Sequence, residues 1–253
     1  MEASRDTTAG ANLLASGPTE ELVRRLSARR GEPDWLLTLR LGAWRALQEP
    51  SASPAPPATT AAQAANADLL SQEQAVVEAQ DPGRDVQTKG VIFTNLRTAL
   101  RAHPQLVRRY LTRRGVPRDR ESALPLALWH SGIFLYVPAQ VSVAPTLTAA
   151  YRLLETGASV YSYSLLILAP GAQARVYAAY TSAKLEAFGR YHSLLDVVLE
   201  PGAELQLVTL EHFGEQVTTV VRQAAYVGRG AHLLAAQALL GSRQTHWTAH
   251  THL

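Results

Sequence analysis

Pro170-Gly171-Ala172, Pro201-Gly202-Ala203 and Arg229-Gly230-Ala231 are three short turns, each followed by a strand-like run. Their glycines lie 31 and 28 residues apart, and Gly157-Ala158 precedes Gly171 by 14, about half that spacing. Recurrence on this scale marks a stacked repeat, in which each coil buries its apolar face only against its neighbours. The runs after the turns alternate with period two, as in Ala172-Gln173-Ala174-Arg175-Val176-Tyr177 and Ala203-Glu204-Leu205-Gln206-Leu207. Such alternation buries one face of a strand. The small residue after each glycine suits the tight corner of a coil. Strands are expected over 158–168, 172–180, 195–200, 203–210, 216–222 and 231–240. The second half of the chain therefore reads as a β-solenoid.

Ahead of these coils, Ile133–Val137 is an apolar run ended by Pro138. Gly90-Val91-Ile92-Phe93 reads as a short strand, with Asn95 or Thr94 capping a helix through Ala102. Pro104 opens another helix over 105–111. Residues 67–89 are polar and ambiguous. Residues 50–66 (PSASPAPPATTAAQAAN) form a Pro/Ala/Ser linker without a large apolar side chain. Near the start, Thr19 caps a helix whose first turn holds Glu20 and Glu21, and whose apolar stripe is Leu22, Val23 and Leu26. Gly31 ends it. Glu32-Pro33-Asp34 starts the next, where Trp35, Leu36, Leu39, Ala43, Ala46 and Leu47 recur at helical spacing. Residues 1–18 are polar. The expected organisation is a helical segment at 1–49, a linker and polar segment at 50–89, a strand–helix–helix segment at 90–122, and a partial β-helix at 123–253. The class is α+β: helices first, then stacked short strands, with the solenoid incomplete at its C-terminal end.

The chain has 253 residues, 47% of them hydrophobic, enough for a real core. It has no cysteine, which excludes disulfides, thiolate nucleophiles and Cys-ligated zinc or iron–sulfur centres built from this chain alone. The N-terminus lacks the basic start and apolar core of a signal peptide. No run approaches the roughly 20 apolar residues that span a bilayer. A soluble cytoplasmic protein without a membrane partner is the expectation. Net charge is +3, with Lys89 and Lys184 the only lysines. A balance this mild does not call for nucleic acid.

Several constellations invite chemistry. Arg108, Arg109, Arg113, Arg114, Arg118 and Arg120 cluster within thirteen residues. A phosphate surface is the sharp reading, but no aromatics interleave for base stacking, which favours a solvated helix end. His246, His250 and His252 crowd the C-terminus around Trp247 with no acid beside them, so no metal site is assigned. His192, Ser193 and Asp196 suggest a triad. Neighbouring strand side chains face opposite sides, and no G-x-S-x-G elbow surrounds Ser193, so the triad is rejected. Gly228-Arg229-Gly230 lacks the third glycine of a dinucleotide loop and reads as a turn. Trp35 and Trp44 are taken as core or interface anchors. No catalytic residue is assigned.

Four stretches carry a likeness. Residues 31–47 (GEPDWLLTLRLGAWRAL), 90–111 (GVIFTNLRTALRAHPQLVRRYL), 123–143 (ALPLALWHSGIFLYVPAQVSV), and 191–217 (YHSLLDVVLEPGAELQLVTLEHFGEQV) with 241–246 resemble, in order, segments of the SufB/SufD family of iron–sulfur cluster assembly scaffolds. The Gly-Val-Ile-Phe and His-Pro-x-Leu-Val pieces are the most specific. SufB is expected to carry functional cysteines. This chain has Tyr180 in the neighbourhood of a SufB Gly-Cys-Thr, so it resembles SufD. The resemblance implies a non-catalytic scaffold that pairs with a SufB-like subunit through the β-helix. The cluster would be handled by a SufB–SufC–SufD complex, with no cofactor held by this chain alone. It also implies that the C-terminal region expected to dock the SufC-like ATPase has no counterpart here. No family site residue maps onto a matching position.

Two other classes stand beside this one. A free-standing β-solenoid interaction protein needs no site. A β-helix carbohydrate-active enzyme needs carboxylates converging in one groove. Its candidates are Glu155, Glu186, Asp196, Glu200, Glu204, Glu211 and Glu215.

Overall fold

The structure is a computed structural model that describes residues 18–49, 75–115, 117, 119–154, 159–182 and 188–253. In chain order its elements are α1 (Glu20–Arg30), α2 (Asp34–Ala46), β1 (Ala75–Ala79), α3 (Arg84–Gln87), β2 (Ile92–Asn95), α4 (Leu96–Ala102), α5 (Pro104–Arg114) and α6 (Arg120–Leu128). Nine strands follow: β3 (Ile133–Val137), β4 (Ser142–Leu153), β5 (Ser159–Leu168), β6 (Gln173–Ser182), β7 (Phe188–Leu199), β8 (Glu204–Phe213), β9 (Gln216–Val227), β10 (His232–Gly241) and β11 (Gln244–His252). The expected linker and Gly157-Ala158 lie outside the described residues. The chain divides into two units, one of helices and one built on the strands.

In the helical unit α1, α2 and α6 pack together. The Thr19 Oγ1 accepts from the Leu22 amide at 3.2 Å, and Gly31 ends α1 in the left-handed region at φ 60°. Val23, Leu26, Leu36 and Ala43 are buried between the helices. Arg40 is fully buried. Its Nε and Nη2 donate to the Glu32 carboxylate at 2.7 and 2.8 Å, and its Nη1 donates to the Ala127 carbonyl at 2.9 Å. A bidentate pair with a third donor satisfied is what allows an arginine to sit in a core. Trp44 is half-buried and donates from Nε1 to the Pro18 carbonyl at 2.7 Å, as an anchor would.

The strand unit is a flattened solenoid. Strands alternate between two sheets, ordered β1-β4-β6-β8-β10 and β11-β9-β7-β5-β3-β2. All neighbours are parallel except β1 on β4 and β2 on β3, which are antiparallel. Gln173 stands opposite Glu204, and Glu204 opposite His232, so the rung offsets are the 31 and 28 residues of the glycine spacing. At each turn the chain passes from the six-stranded to the five-stranded sheet. Gly171, Gly202 and Gly230 lie at φ 67–72°, a region that favours glycine. Their turns are stacked: the Gly171 amide donates to the Pro201 carbonyl, and the Gly202 amide to the Arg229 carbonyl. Ala172 and Ala203, the small residues after the glycines, are fully buried at the corners.

Three strands go beyond the sequence expectation. β4 was hidden by Pro145, which sits where the register shifts between Ser142 and Thr146. β1 lies in the ambiguous polar segment. β11 forms from a polar tail, because pairing with β9 supplies what its own residues lack. β7 also begins at Phe188, seven residues before its expected start. The chain enters the solenoid through α6, whose residues include 123–128 of the segment expected to be coil.

Candidate functional site

Alternation places one residue in two of every strand inside the solenoid. Near the first coils this interior holds an aromatic file. Tyr151 stacks on Tyr180 at 4.2 Å between ring centroids, Tyr180 meets Tyr191 edge-on at 5.8 Å, and Tyr191 tilts against Phe213 at 5.1 Å. Hydroxyls are paired as burial requires. The Tyr151 Oη and Ser164 Oγ lie 2.8 Å apart, and the Ile133 amide donates to the same Oγ at 3.0 Å. The Tyr191 hydroxyl donates to Ser162 Oγ at 2.9 Å, and Ser162 donates to Ser193 Oγ at 3.2 Å. Burial pushes the Tyr151 hydroxyl up to about 12 and raises Tyr180 and Tyr191 as well. These phenols stay neutral.

Further along, the interior holds a carboxylate. Glu211 of β8 is buried and points inward, with one acceptor oxygen served by Gln237 of β10. Beside it, a cavity of about 270 Å³ is lined by Leu207, Thr209, Gln223, Gln237, Leu239 and Trp247, among others. Leu239 and Trp247 are exposed, as are Leu234 and Leu240 on the outward face of β10. Among the described residues, β10 and β11 each have one ladder edge without a neighbouring strand.

Comparison with known proteins locates this architecture. Residues 151–253 match the family model described as SUF system FeS cluster assembly, SufBD core domain. The matched residues run from the end of β4 through β11. An iron–sulfur cluster assembly SufBD family protein of Staphylococcus epidermidis is 23% identical over 180 residues, covering 71% of this chain and 39% of that protein. A SufBD family protein of Staphylococcus saprophyticus is 22% identical with the same coverage. The iron–sulfur cluster assembly protein SufD of Bacillus subtilis is 28% identical over 165 residues, 64% of this chain and 38% of that protein. The chain thus spans about two-fifths of the length of the curated relatives it matches.

Within the matched residues the sequence candidates scatter. Ser193 faces the interior. His192 and Asp196 face outward, where His192 stacks on Tyr161 at 5.1 Å and Asp196 accepts from the Tyr163 hydroxyl at 2.7 Å. Burial, aided by the Arg190 charge, lowers His192 to about 4, so its ring is neutral. These three residues form no relay. His246, His250 and His252 share the outward face of β11. His250 Nε2 lies 3.3 Å from Arg222 Nη1, and His252 stacks on Tyr226 at 4.9 Å. Among the described residues, no three His, Asp or Glu side chains are grouped to hold a metal.

Among the described residues, the carboxylates do not converge either. A groove of about 410 Å³ on the outer face of the five-stranded sheet is lined by Ser142, Gln173, Arg175, Glu204, His232 and others, with Glu204 its one acid. Glu211 faces the opposite side of the same strand. Glu155 and Glu186 lie outside the described residues. The Gly228-Arg229-Gly230 segment is a turn, closed by the Ala231 amide on the Gly228 carbonyl at 2.9 Å. In the helical unit, Arg108, Arg109 and Arg113 are solvent-exposed on α5; Arg118 lies outside the described residues. Among the described residues, no helix is long and apolar enough to cross a membrane. Glu211 was named in the sequence only as a candidate groove carboxylate, and its inward position was missed. Its signal was available: it falls in the inward phase of Leu205, Leu207, Thr209 and Phe213.

Proposed function

We propose that this chain is a SufD-like, non-catalytic scaffold subunit of the SUF iron–sulfur cluster assembly machinery, working in the cytoplasm. It pairs with a SufB-like subunit through the β-helix, in a complex that also contains a SufC-like ATPase. The complex, and not this chain alone, handles the cluster. The observation that carries the reading is the SufBD core match over residues 151–253, the stretch that builds the stacked coils. Leu234 and Leu240, on the outward face of β10, are exposed apolar side chains of the kind a partner covers.

Co-expression with a cognate SufB-like subunit tests the pairing. The two should co-purify as a complex that resists high salt. Failure here, while a full-length relative does pair, would overturn pairing through these coils. The cluster assignment has its own test. With no cysteine the chain offers no soft thiolate for iron. After anaerobic incubation with iron and sulfide and desalting, the chain alone should show no charge-transfer absorbance. Stoichiometric retained sulfide would overturn this part.

A further inference from the structure

Glu211 sits where a carboxylate is costly. It is 2% exposed, and Tyr180 of β6 and Leu239 of β10 flank it in register. Gln237 Nε2 of β10 donates to Oε1 at 3.0 Å, while Oε2 is buried with no hydrogen-bond partner. The titratable groups facing it are Tyr180 on β6, Tyr151 on β4 and Tyr191 on β7, all neutral phenols that raise one another's pKa or feel the Glu211 charge. The inward residues of β9 and β11 near this level, Thr219, Gln223, Thr245 and Trp247, carry no charge. Arg190 and Arg222 belong to the outward phase of β7 and β9. No cation among the described residues therefore faces the interior to balance an ionised Glu211. An ionised carboxylate in such a place pays a desolvation cost that no neighbouring charge offsets.

We infer that the Glu211–Gln237 contact is a proton-operated catch that holds β10 against β8 while the carboxyl is protonated and loosens when it ionises. In the acid form the carboxyl is uncharged, so beyond the Gln237 bond only a neutral hydroxyl is left without a protein partner, a smaller cost than a buried charge. In the ionised form one oxygen carries charge without a protein donor or cation beside it, and moving β10 away opens it to water.

The direction in pH follows from linkage. Burial raises the Glu211 carboxyl from 4.5 to about 7 in the closed coil, against the lowering effect of the Gln237 bond. A hydrated, open form returns to the ordinary carboxylate range. The closed form thus binds the proton more tightly. Its grip is complete below about pH 4.5, is lost progressively as pH rises to about 7, and is constant above that. Over this window the opening equilibrium of β10 changes by roughly a hundredfold. This inference does not depend on the scaffold function or on any partner.

Amide hydrogen exchange on the full chain tests it, read at His232–Gly241 and corrected for intrinsic rates, between about pH 5 and pH 8. In the wild type, protection should fall by roughly a hundredfold with rising pH; in Glu211→Gln it should be nearly flat. Equal pH dependence in both proteins, or none in the wild type, overturns the catch. A second measurement needs no variant. The Glu211 side-chain carboxyl followed by carbon NMR should titrate near 7. A midpoint in the ordinary carboxylate range overturns the inference even if the variant fails to fold.

Discussion

The first and last described rungs of the solenoid are made of the same kind of strand and come out differently. At its start, each sheet opens with an antiparallel strand from outside the repeat, β1 on β4 and β2 on β3, and these bury Val77 and Phe93 over the first rungs. At β10 and β11 no further strand pairs among the described residues. Leu205 and Leu233 stand opposite each other in the inward phase, yet Leu205 is 1% exposed and Leu233 only half-buried. In a solenoid, burial is a property of the neighbouring rung more than of the residue's own strand. The hydrophobic pattern states where a side chain points. The next coil decides whether that counts as core.

The comparison can be broken most severely at its covered end. A Cβ added at Gly132, whose φ is 155°, would lie 1.6 Å from the Tyr163 carbonyl oxygen. That contact is with backbone, which cannot step aside, so Gly132→Ala should cost at least about 3 kcal/mol and abolish a cooperative melt. A normal melting transition would mean the first coil tolerates displacement from β5. The matched pair Leu205→Ala and Leu233→Ala sharpens the rung argument. The first should lose about 2–4 kcal/mol in urea unfolding and the second below about 1 kcal/mol. Equal losses would mean that something covers β10. Smallest of all, Leu240→Lys on the outward face of β10 should leave stability within about 0.5 kcal/mol. It should lower self-association at micromolar concentration in sedimentation, since an edge charge opposes strand addition. No change in the monomer fraction would argue that these strands do not self-associate.

Much of this was legible from turn chemistry. The three glycine turns gave the coil length because a left-handed residue is needed at the same point of every coil. A fourth turn of the same column, closed by the Val141 amide on the Pro138 carbonyl, escaped notice because Gln140 takes the left-handed position at φ 62°. β5 was readable as a continuous run, Ser159 to Leu168, because nearly all of it is buried, the outward Tyr161, Tyr163 and Leu165 included. β11 was not readable. Gln244, Thr245, His246 and Thr248 have no strand-core signature, and only the ladder with β9 makes them a strand. Within the site, the triad residues could be dismissed from alternation alone. That only one oxygen of Glu211 would be served could not be foreseen, since it depends on which side chain β10 brings near.

The stacked turns have a consequence for change in this protein. Along the glycine edge every corner keeps one length, and each donates a hydrogen bond to the next, so an added residue would shift all later rungs and turn their inward faces out. The opposite edge is bonded from corner to corner as well, the Ser242 amide to the Phe213 carbonyl and the Arg243 amide to the Val217 carbonyl, but its corners differ in length. There the chain crosses from β6 to β7 with five residues and from β8 to β9 with two, Gly214 and Glu215, without disturbing the register of the strands that follow. One edge is a spine and the other a margin. Insertions, labels and grafted loops belong at the margin, between Gly214 and Glu215 or between Ser242 and Arg243, where the repeat already admits variation in length.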